Sequence, residues 1–353
     1  MTVVVLSPGM NTTVQDLGRY RFRAYGMPVA GALDRYSLMA GNLVAGNGPG
    51  AAALEITFSG PEVRFGSDRL VCITGGDLAP RLNGDPFPCW EGGFVRKGDV
   101  LSFSGPCSRG IRAWLCISGG VNTQPVMGSR STYLRGGLGG MEGRRLRAGD
   151  ILSLGLPDPL WARGEGFSVP GELRTVHSAD PVIRVLPGPQ EGAFTSAGLD
   201  VFYGSSFRVG AESDRMGCRL EGPAISHCGS PDIVSDAVPE GSIQVPGNGL
   251  PIIMLSDSQT TGGYTKIACA VNADLHLLAQ LAPGDTLSFR KCGIREAAEA
   301  SAKLKQGLAR IRVLLADHRS RCKGNIQFLH QDSGSMKIRF CGKSYDVRWE
   351  REK

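Results

Sequence analysis

One phrase constrains this chain more than any other feature, because it recurs in matching surroundings. It reads Lys97-Gly-Asp-Val-Leu-Ser-Phe103, then Ala148-Gly-Asp-Ile-Leu-Ser-Leu154, then Pro283-Gly-Asp-Thr-Leu-Ser-Phe289. Each copy has the form of a tight turn feeding a strand. A second echo pairs Leu54-Glu-Ile-Thr-Phe-Ser-Gly-Pro61 with Leu220-Glu-Gly-Pro223. The copies lie on both sides of a Pro-, Gly- and charge-rich stretch near residues 157–180, as expected for a β unit used twice with a linker between. The 50 glycines, roughly twice the average share, and 21 prolines favour turns over long helices. The expectation is a mainly β fold with a few helices: one lobe over 1–175, a second over 176–292, and a helix with a hairpin over 293–353.

Local signals place the elements. Thr2-Val-Val-Val-Leu6 opens as a strand, and Thr12 to Arg19 reads as a polar segment ending in a glycine turn. Asp34 is placed to cap a helix from Arg35 to Ala45, with Tyr36, Met39 and Leu43 on one face and Gly46 as its stop. Leu54–Phe58, Leu70–Thr74 and Arg112–Ser118 read as strands, and Asn83-Gly84 as a hairpin turn. Val182–Leu186, Ser242–Pro246, Pro251–Leu255 and Ile267–Val271 read as strands of the second half, with a helical segment in 190–202 and a short helix over 272–281. Ile294 to His318 is the longest helical pattern, with Ile294, Ala297, Leu304, Leu308, Ile311 and Leu315 as its apolar stripe and a basic C-terminal half. The tail reads as a hairpin, Met336–Cys341 against Ser344–Trp349, turning at Gly342-Lys343.

Several function classes are disfavoured. A net charge of +6 is spread among acids rather than gathered on one face, which argues against nucleic-acid binding. The ten cysteines contain no C-x-x-C pair, and Cys72, Cys116 and Cys269 sit in apolar runs. With no secretory leader visible, they read as reduced thiols of a cytoplasmic protein. No apolar run approaches the about 20 residues of a membrane span. The histidines lack zinc-ligand spacing, so no metal is expected. No Walker A phrase, dinucleotide fingerprint or G-x-S-x-G elbow occurs.

Two stretches carry more polar chemistry than turns require. Ser256-Asp-Ser-Gln-Thr-Thr-Gly-Gly-Tyr-Thr-Lys266 joins two apolar runs, and its paired glycines permit close approach of a ligand to the main chain. Ser129-Arg-Ser-Thr132, Arg135 and the run Gly136–Gly140 combine exposed backbone N–H groups with arginine forks suited to carboxylate or phosphate. Asp16, Asp34, Asp77, Asp214 and Asp257 all flank glycine turns, where an aspartate serves either as a base or as a turn cap.

Five motifs occur in a telling order: Thr13-Val-Gln-Asp-Leu-Gly-Arg19, Gly26-Met-Pro-Val-Ala-Gly-Ala-Leu-Asp34, Gly128-Ser-Arg-Ser-Thr132, Ser213-Asp-Arg-Met-Gly217 and Gln259-Thr-Thr-Gly-Gly-Tyr264. Over about residues 1–292 the chain resembles the biotin-dependent carboxyltransferase family that includes KipA, allophanate hydrolase subunit 2 and the C subunit of 5-oxoprolinase. It departs from the family pattern at Tyr20-Arg21 and at Leu33. The resemblance implies two cyclophilin-like β-barrel lobes. It implies the C subunit of an ATP-dependent 5-oxoprolinase, inactive without a KipI-like B subunit and a LamB/YcsF-like A subunit. A urea carboxylase or allophanate hydrolase type of subunit, or a KipA-like protein that binds a KipI-like kinase inhibitor without catalysis, are the alternatives. ATP is the implied co-substrate, its site not located. Met336-Lys337 resembles a biotinyl carrier turn, but Ile338 follows and covalent biotin is not expected. On this footing Asp257, Arg130 and Arg215 are the candidate catalytic residues. Gln15, Asp34, Ser129, Arg135, Asp214, Gln244, Gln259, Thr260, Thr261, Gly263, Tyr264 and Lys266 are the candidate substrate-binding residues. Asp257, Gln259 and Tyr264 are expected to face Arg130 or Arg215 across a cleft.

Overall fold

The structure is a computed structural model that describes residues 1–106, 110–158, 161–321, 333–340 and 343–350. Its first half holds two sheets. One runs Ile151–Ser153, Thr2–Ser7, Glu62–Phe65, Val100–Phe103, Pro80–Leu82, Asp85–Pro86 in spatial order. The other runs Asn11–Gln15, Ala53–Thr57, Arg112–Ile117, Arg69–Gly75, Gly92–Val95. Between them lies a core of Val3, Val5, Leu54, Ile56, Val71, Ile73, Leu101 and Leu115. The second sheet is buried on its other face too. There Ala53, Cys72, Trp114 and Cys116 pack against helix α1 (Arg35–Val44) and the long C-terminal helix. Burial on both faces explains why Leu70–Thr74 and Arg112–Ser118 read as continuous apolar runs rather than alternating ones.

The second half closes into a seven-stranded barrel, in the order Val182–Pro187, Lys266–Ala270, Ser242–Gln244, Ile252–Met254, Gly217–Glu221, Ser206–Val209, Thr286–Lys291. Its interior is filled by Ile183, Val185, Phe207, Ile243, Ile253, Ile267 and Phe289, with α2 (Ser196–Gly204) and α3 (Leu275–Leu278) against it. Leu33, from the first half, belongs to the same cluster, so the first half contributes one side chain to the core of the second. A two-stranded ribbon, Asp232–Ala237 with Thr261–Tyr264, stands apart from the barrel.

Each Gly-Asp phrase builds the same turn. Gly98, Gly149 and Gly284 have φ of 96, 88 and 95°, the left-handed region that favours glycine. In each, the following aspartate folds back onto a main-chain N–H three residues earlier: Arg96 to Asp99 at 2.7 Å, Arg147 to Asp150 at 2.7 Å, Ala282 to Asp285 at 2.8 Å. The Asn83-Gly84 turn is as expected, with Leu82 opposite Asp85 and both turn residues at positive φ.

Asp34 caps α1 by accepting from Ser37 N at 3.0 Å. The helix is buried more widely than one stripe, including Leu38, Ala40 and Val44, while Met39 is only half-buried. Thr12 to Gln15, read as a polar segment, belongs to a strand whose Thr12, Thr13 and Gln15 are buried with side-chain partners. The long helix α4 spans Ile294–Arg321. Ile311 and Leu315 are its buried anchors, while Ile294 is 80% exposed and lies off the stripe. The tail forms a hairpin as expected, Ser333–Phe340 against Lys343–Glu350, but Lys343, read as a turn residue, is in the strand opposite Phe340. Cys107, Cys322, Cys341 and Gly342 lie outside the described residues. No helix among the described residues is long and apolar enough to cross a membrane.

Candidate active site at the seam of the two halves

The centre of the seam is Arg215, in the turn that precedes the barrel strand Gly217–Glu221. Its guanidinium reaches into the first half. Nη1 donates to Glu55 and Nη2 to the carbonyl of Gly31, while Nε and Nη2 hold Asp257 at 3.2 and 3.0 Å. All three charged side chains are almost inaccessible: Arg215 8%, Glu55 2%, Asp257 5%. A buried cation shared by two carboxylates has a clear electrostatic signature. Burial alone disfavours the charged guanidinium, but Asp257 and Glu55 outweigh it and hold Arg215 protonated. Burial pushes the Asp257 carboxyl above its usual value, and the nearby Glu55 and Asp214 charges act in the same sense against the pull of Arg215. Arg112, half-buried, is drawn below its usual value by desolvation, with Glu55 opposing.

These groups open onto a cavity of about 530 Å³ walled from both halves. Asn11, Thr57, Arg112, Arg135 and Arg145 come from the first, and Asp214, Arg215, Met216 and Asp257 from the second. Four arginines against two aspartates suit an anionic ligand. The volume is that of an ordinary small-molecule site.

Of the residues singled out in the sequence, the structure gathers Asp257, Arg215, Asp214 and Arg135 here. Asp214 also accepts from Met216 N at 2.8 Å, which fixes the turn carrying Arg215. The others fall into three further places. Ser129 and the main chain of Arg130 bind the Asp16 carboxylate, both at 2.6 Å, and Gln15 Nε2 donates to the Thr132 carbonyl at 3.0 Å. The Arg130 guanidinium turns instead to Asn122 Oδ1 at 2.8 Å and is not part of the cavity wall. Asp34 is occupied as the α1 cap and by Gln280 Nε2 at 2.9 Å.

Gln244, Gln259, Thr260, Thr261, Gly263, Tyr264 and Lys266 belong to the ribbon side and line none of the Arg215–Asp257 cavity. Lys266 is buried there, its Nζ 2.6 Å from Asp236 Oδ2 and 3.1 Å from the Ala237 carbonyl. Gln244 is buried beneath Gly262, where a Cβ would come within 2.7 Å of its Nε2. Gln259 and Tyr264 are exposed. The stretch 256–266 therefore serves two places: its start supplies the buried base candidate, and its end forms the ribbon.

Glu55 and Arg112 were missed in the sequence. The available signal for Glu55 was a lone acid inside Ala53–Thr57, a strand buried at every position. A charge in such a strand needs a buried partner. No group of His, Cys, Asp or Glu arranged to hold a metal ion occurs among the described residues.

Two fused β halves meeting over a buried Glu–Arg–Asp cluster beside an arginine-lined cavity define a two-lobe protein with a candidate site at the seam. Residues 25–291 match the carboxyltransferase domain, subdomain A and B, and the chain belongs to that family, the biotin-dependent carboxyltransferases. It is 39% identical to the C subunit of 5-oxoprolinase from Escherichia coli (strain K12) over 300 residues, 84% of this chain and 93% of that protein. The corresponding Haemophilus influenzae protein is 35% identical over 308 residues, 87% and 97% of the two chains. Among solved structures, the K. lactis urea amidolyase superposes with a TM-score of 0.83 at 31% identity, over 88% of this chain but only 20% of that one.

Proposed function

We propose that this chain is the C subunit of an ATP-dependent 5-oxoprolinase, which opens the lactam of 5-oxoproline to glutamate together with A and B subunits and is inactive alone. The observation that carries this is end-to-end correspondence. The chain spans nearly the whole of two proteins that bear that name, but only a fifth of the urea amidolyase it resembles. The arrangement at the seam suits the chemistry. A lactam is a resonance-stabilised amide, so transfer of the ATP γ-phosphoryl group to its oxygen, with release of ADP, activates the carbonyl carbon; water adds there, the ring C–N bond breaks as the nitrogen takes up a proton, and a second water hydrolyses the resulting acyl phosphate to glutamate and phosphate. Asp257, with its carboxyl raised by burial, serves as the base. Arg112, Arg135 and Arg145 offer positive charge to the substrate carboxylate and to developing oxyanions.

The test is reconstitution of the chain with its A- and B-subunit partners, scoring ATP-dependent release of glutamate from 5-oxoproline. Asp257→Asn is expected to lower turnover by about a hundredfold or more. Arg130→Ala, whose guanidinium lies outside the cavity wall, is expected to stay near the parent. Full turnover in a folded Asp257→Asn protein sinks the assignment of the site. Carboxylation of urea in place of lactam opening sinks the assignment of the substrate.

A further inference from the structure

A second cavity, of about 480 Å³, lies under α4 and shares no wall residue with the first. It is bounded by the segment 172–176, by Arg184 and His276 of the second half, and by the α4 face from Ala300 to Arg310. Helix and linker are held in place there by Tyr36, whose hydroxyl donates to the Leu173 carbonyl at 2.7 Å. Gly307 lets the helix pass: a Cβ at that position would stand 2.8 Å from the Tyr36 oxygen.

The charges of this cavity are not balanced. Arg174, Arg184, Lys303 and Arg310 face a single acid, Glu172. Arg184 is satisfied by Asp274, with Nε 3.0 Å from Oδ2. Arg174 uses Nε and Nη2 on the Val169 carbonyl and Ser168 Oγ at 2.7 and 2.9 Å. Lys303 and Arg310, two turns apart on one helix face, make no ion pair among the described residues. His276 adds a buried Nδ1 with no hydrogen-bond partner among them. A solvated basic helix face accounts for the two exposed cations alone. It does not account for a concave wall that brings Arg174 and Arg184 beside them.

We propose that this cavity is a binding site for a compact phosphate-bearing anion with two or more negative charges, held by Lys303, Arg310 and Arg174. A lysine point charge and arginine forks around a small concavity are the usual means of holding phosphate oxygens. The site stands apart from the reading of the seam cavity, and neither depends on the other.

Pyrophosphate is the probe, titrated calorimetrically into the full chain. Saturable binding with one site per chain that weakens with added salt is expected. The double variant Lys303→Glu/Arg310→Glu is expected to bind about tenfold more weakly or worse. Lys305→Glu, the same charge change on the same helix but outside the cavity wall, is expected to shift affinity less than about twofold. Thermal unfolding confirms that each variant is folded, and Lys303→Gln/Arg310→Gln replaces the double reversal if it is not. Absence of saturable binding, undiminished affinity in the double variant, or equal loss in Lys305→Glu overturns the proposal.

Discussion

Arg215 shows what a single residue contributes here. Its burial is costly, and the cost is met only because Glu55, Asp257 and the Gly31 carbonyl surround it. Arg215→Met removes the one cation between two buried carboxylates, and a loss of about 3–5 kcal/mol in urea unfolding is expected. Asp257→Asn keeps an acceptor beside the guanidinium and leaves Glu55 as counter-ion, so it is expected to cost less than Arg215→Met in the same measurement. Equal losses would mean that the cluster acts through packing rather than charge. His177 carries the pH dependence at this scale. Burial holds its imidazole below its usual value, and His276 adds to that, against the pull of Asp34. The unfolded chain therefore takes up the proton first. The stability tied to neutral His177 is full above about pH 6.5 and is lost as pH falls below that. His177→Gln is expected to lose less thermal stability than the parent between about pH 7.5 and about pH 5.5; an unchanged difference refutes the assignment. Arg215 and Asp257 were legible in the sequence because each sits in a dense polar phrase between strands. Arg130 was drawn in by the same logic, yet its guanidinium direction is set by Asn122, which no spacing reveals.

Elements were legible where one local device decides them. The Gly-Asp turns, the Asp34 cap and the Asn83-Gly84 hairpin each rest on neighbours within a few residues, and each formed as read. Elements decided by distant partners were not legible. Asn11–Gln15 looks polar because its side chains bond across the fold, Gln15 to the Thr132 carbonyl for example. Asp232–Ala237 has no alternation because it is exposed nearly throughout and, among the described residues, pairs only with Thr261–Tyr264. On α4 the stripe was right at Ile311 and Leu315 and wrong at Ile294, which lies beyond the packed surface. Gly307 tests whether α4 is fitted to Tyr36 or merely rests on it. In an open helix a glycine-to-alanine change stabilises by about 1 kcal/mol. Here the added methyl meets the Tyr36 oxygen at 2.8 Å, so Gly307→Ala is expected to destabilise instead, by about 1–3 kcal/mol. Combining it with Tyr36→Phe, which removes that oxygen, is expected to recover part of the loss. A stabilised Gly307→Ala protein would show that the helix shifts freely.

At the scale of the whole molecule, the repeated phrase made a two-part chain legible but said nothing of how the parts join. The joint is built from pairs 167 to 246 residues apart: Arg35 with Glu240, Arg112 with the Ala279 carbonyl, Asp34 with Gln280. No local pattern announces such pairs, because each partner alone passes for a cap, a turn or a helix surface. Gln280 is the most connected of them. Its Nε2 donates to Asp34 Oδ2 at 2.9 Å and to the Arg112 carbonyl at 3.0 Å, and its Oε1 accepts from Arg112 N at 3.0 Å. It thereby links the α1 cap, a strand of the first half and the end of α3 in the second. Gln280→Leu keeps the volume close and removes all three bonds, leaving the Arg112 amide without its acceptor. A loss of about 1–3 kcal/mol is expected, the penalty of one such orphaned buried group. The form of the unfolding curve carries more information than its midpoint. Hydrogen-exchange protection of the backbone amides of Arg112–Ile117 in the first half and of Lys266–Ala270 in the second, followed through the unfolding transition, reports the two halves separately. With an intact seam, both are expected to fade in one transition in the parent protein. If the seam carries the cooperativity, Gln280→Leu separates the two midpoints; if the barrel core around Leu33 carries it, the curves stay superimposed at a lower midpoint. Among the described residues, Leu33 is the one apolar side chain that the first half lends to the buried barrel cluster, while polar contacts across the joint are several, so separation of the midpoints is the expected result.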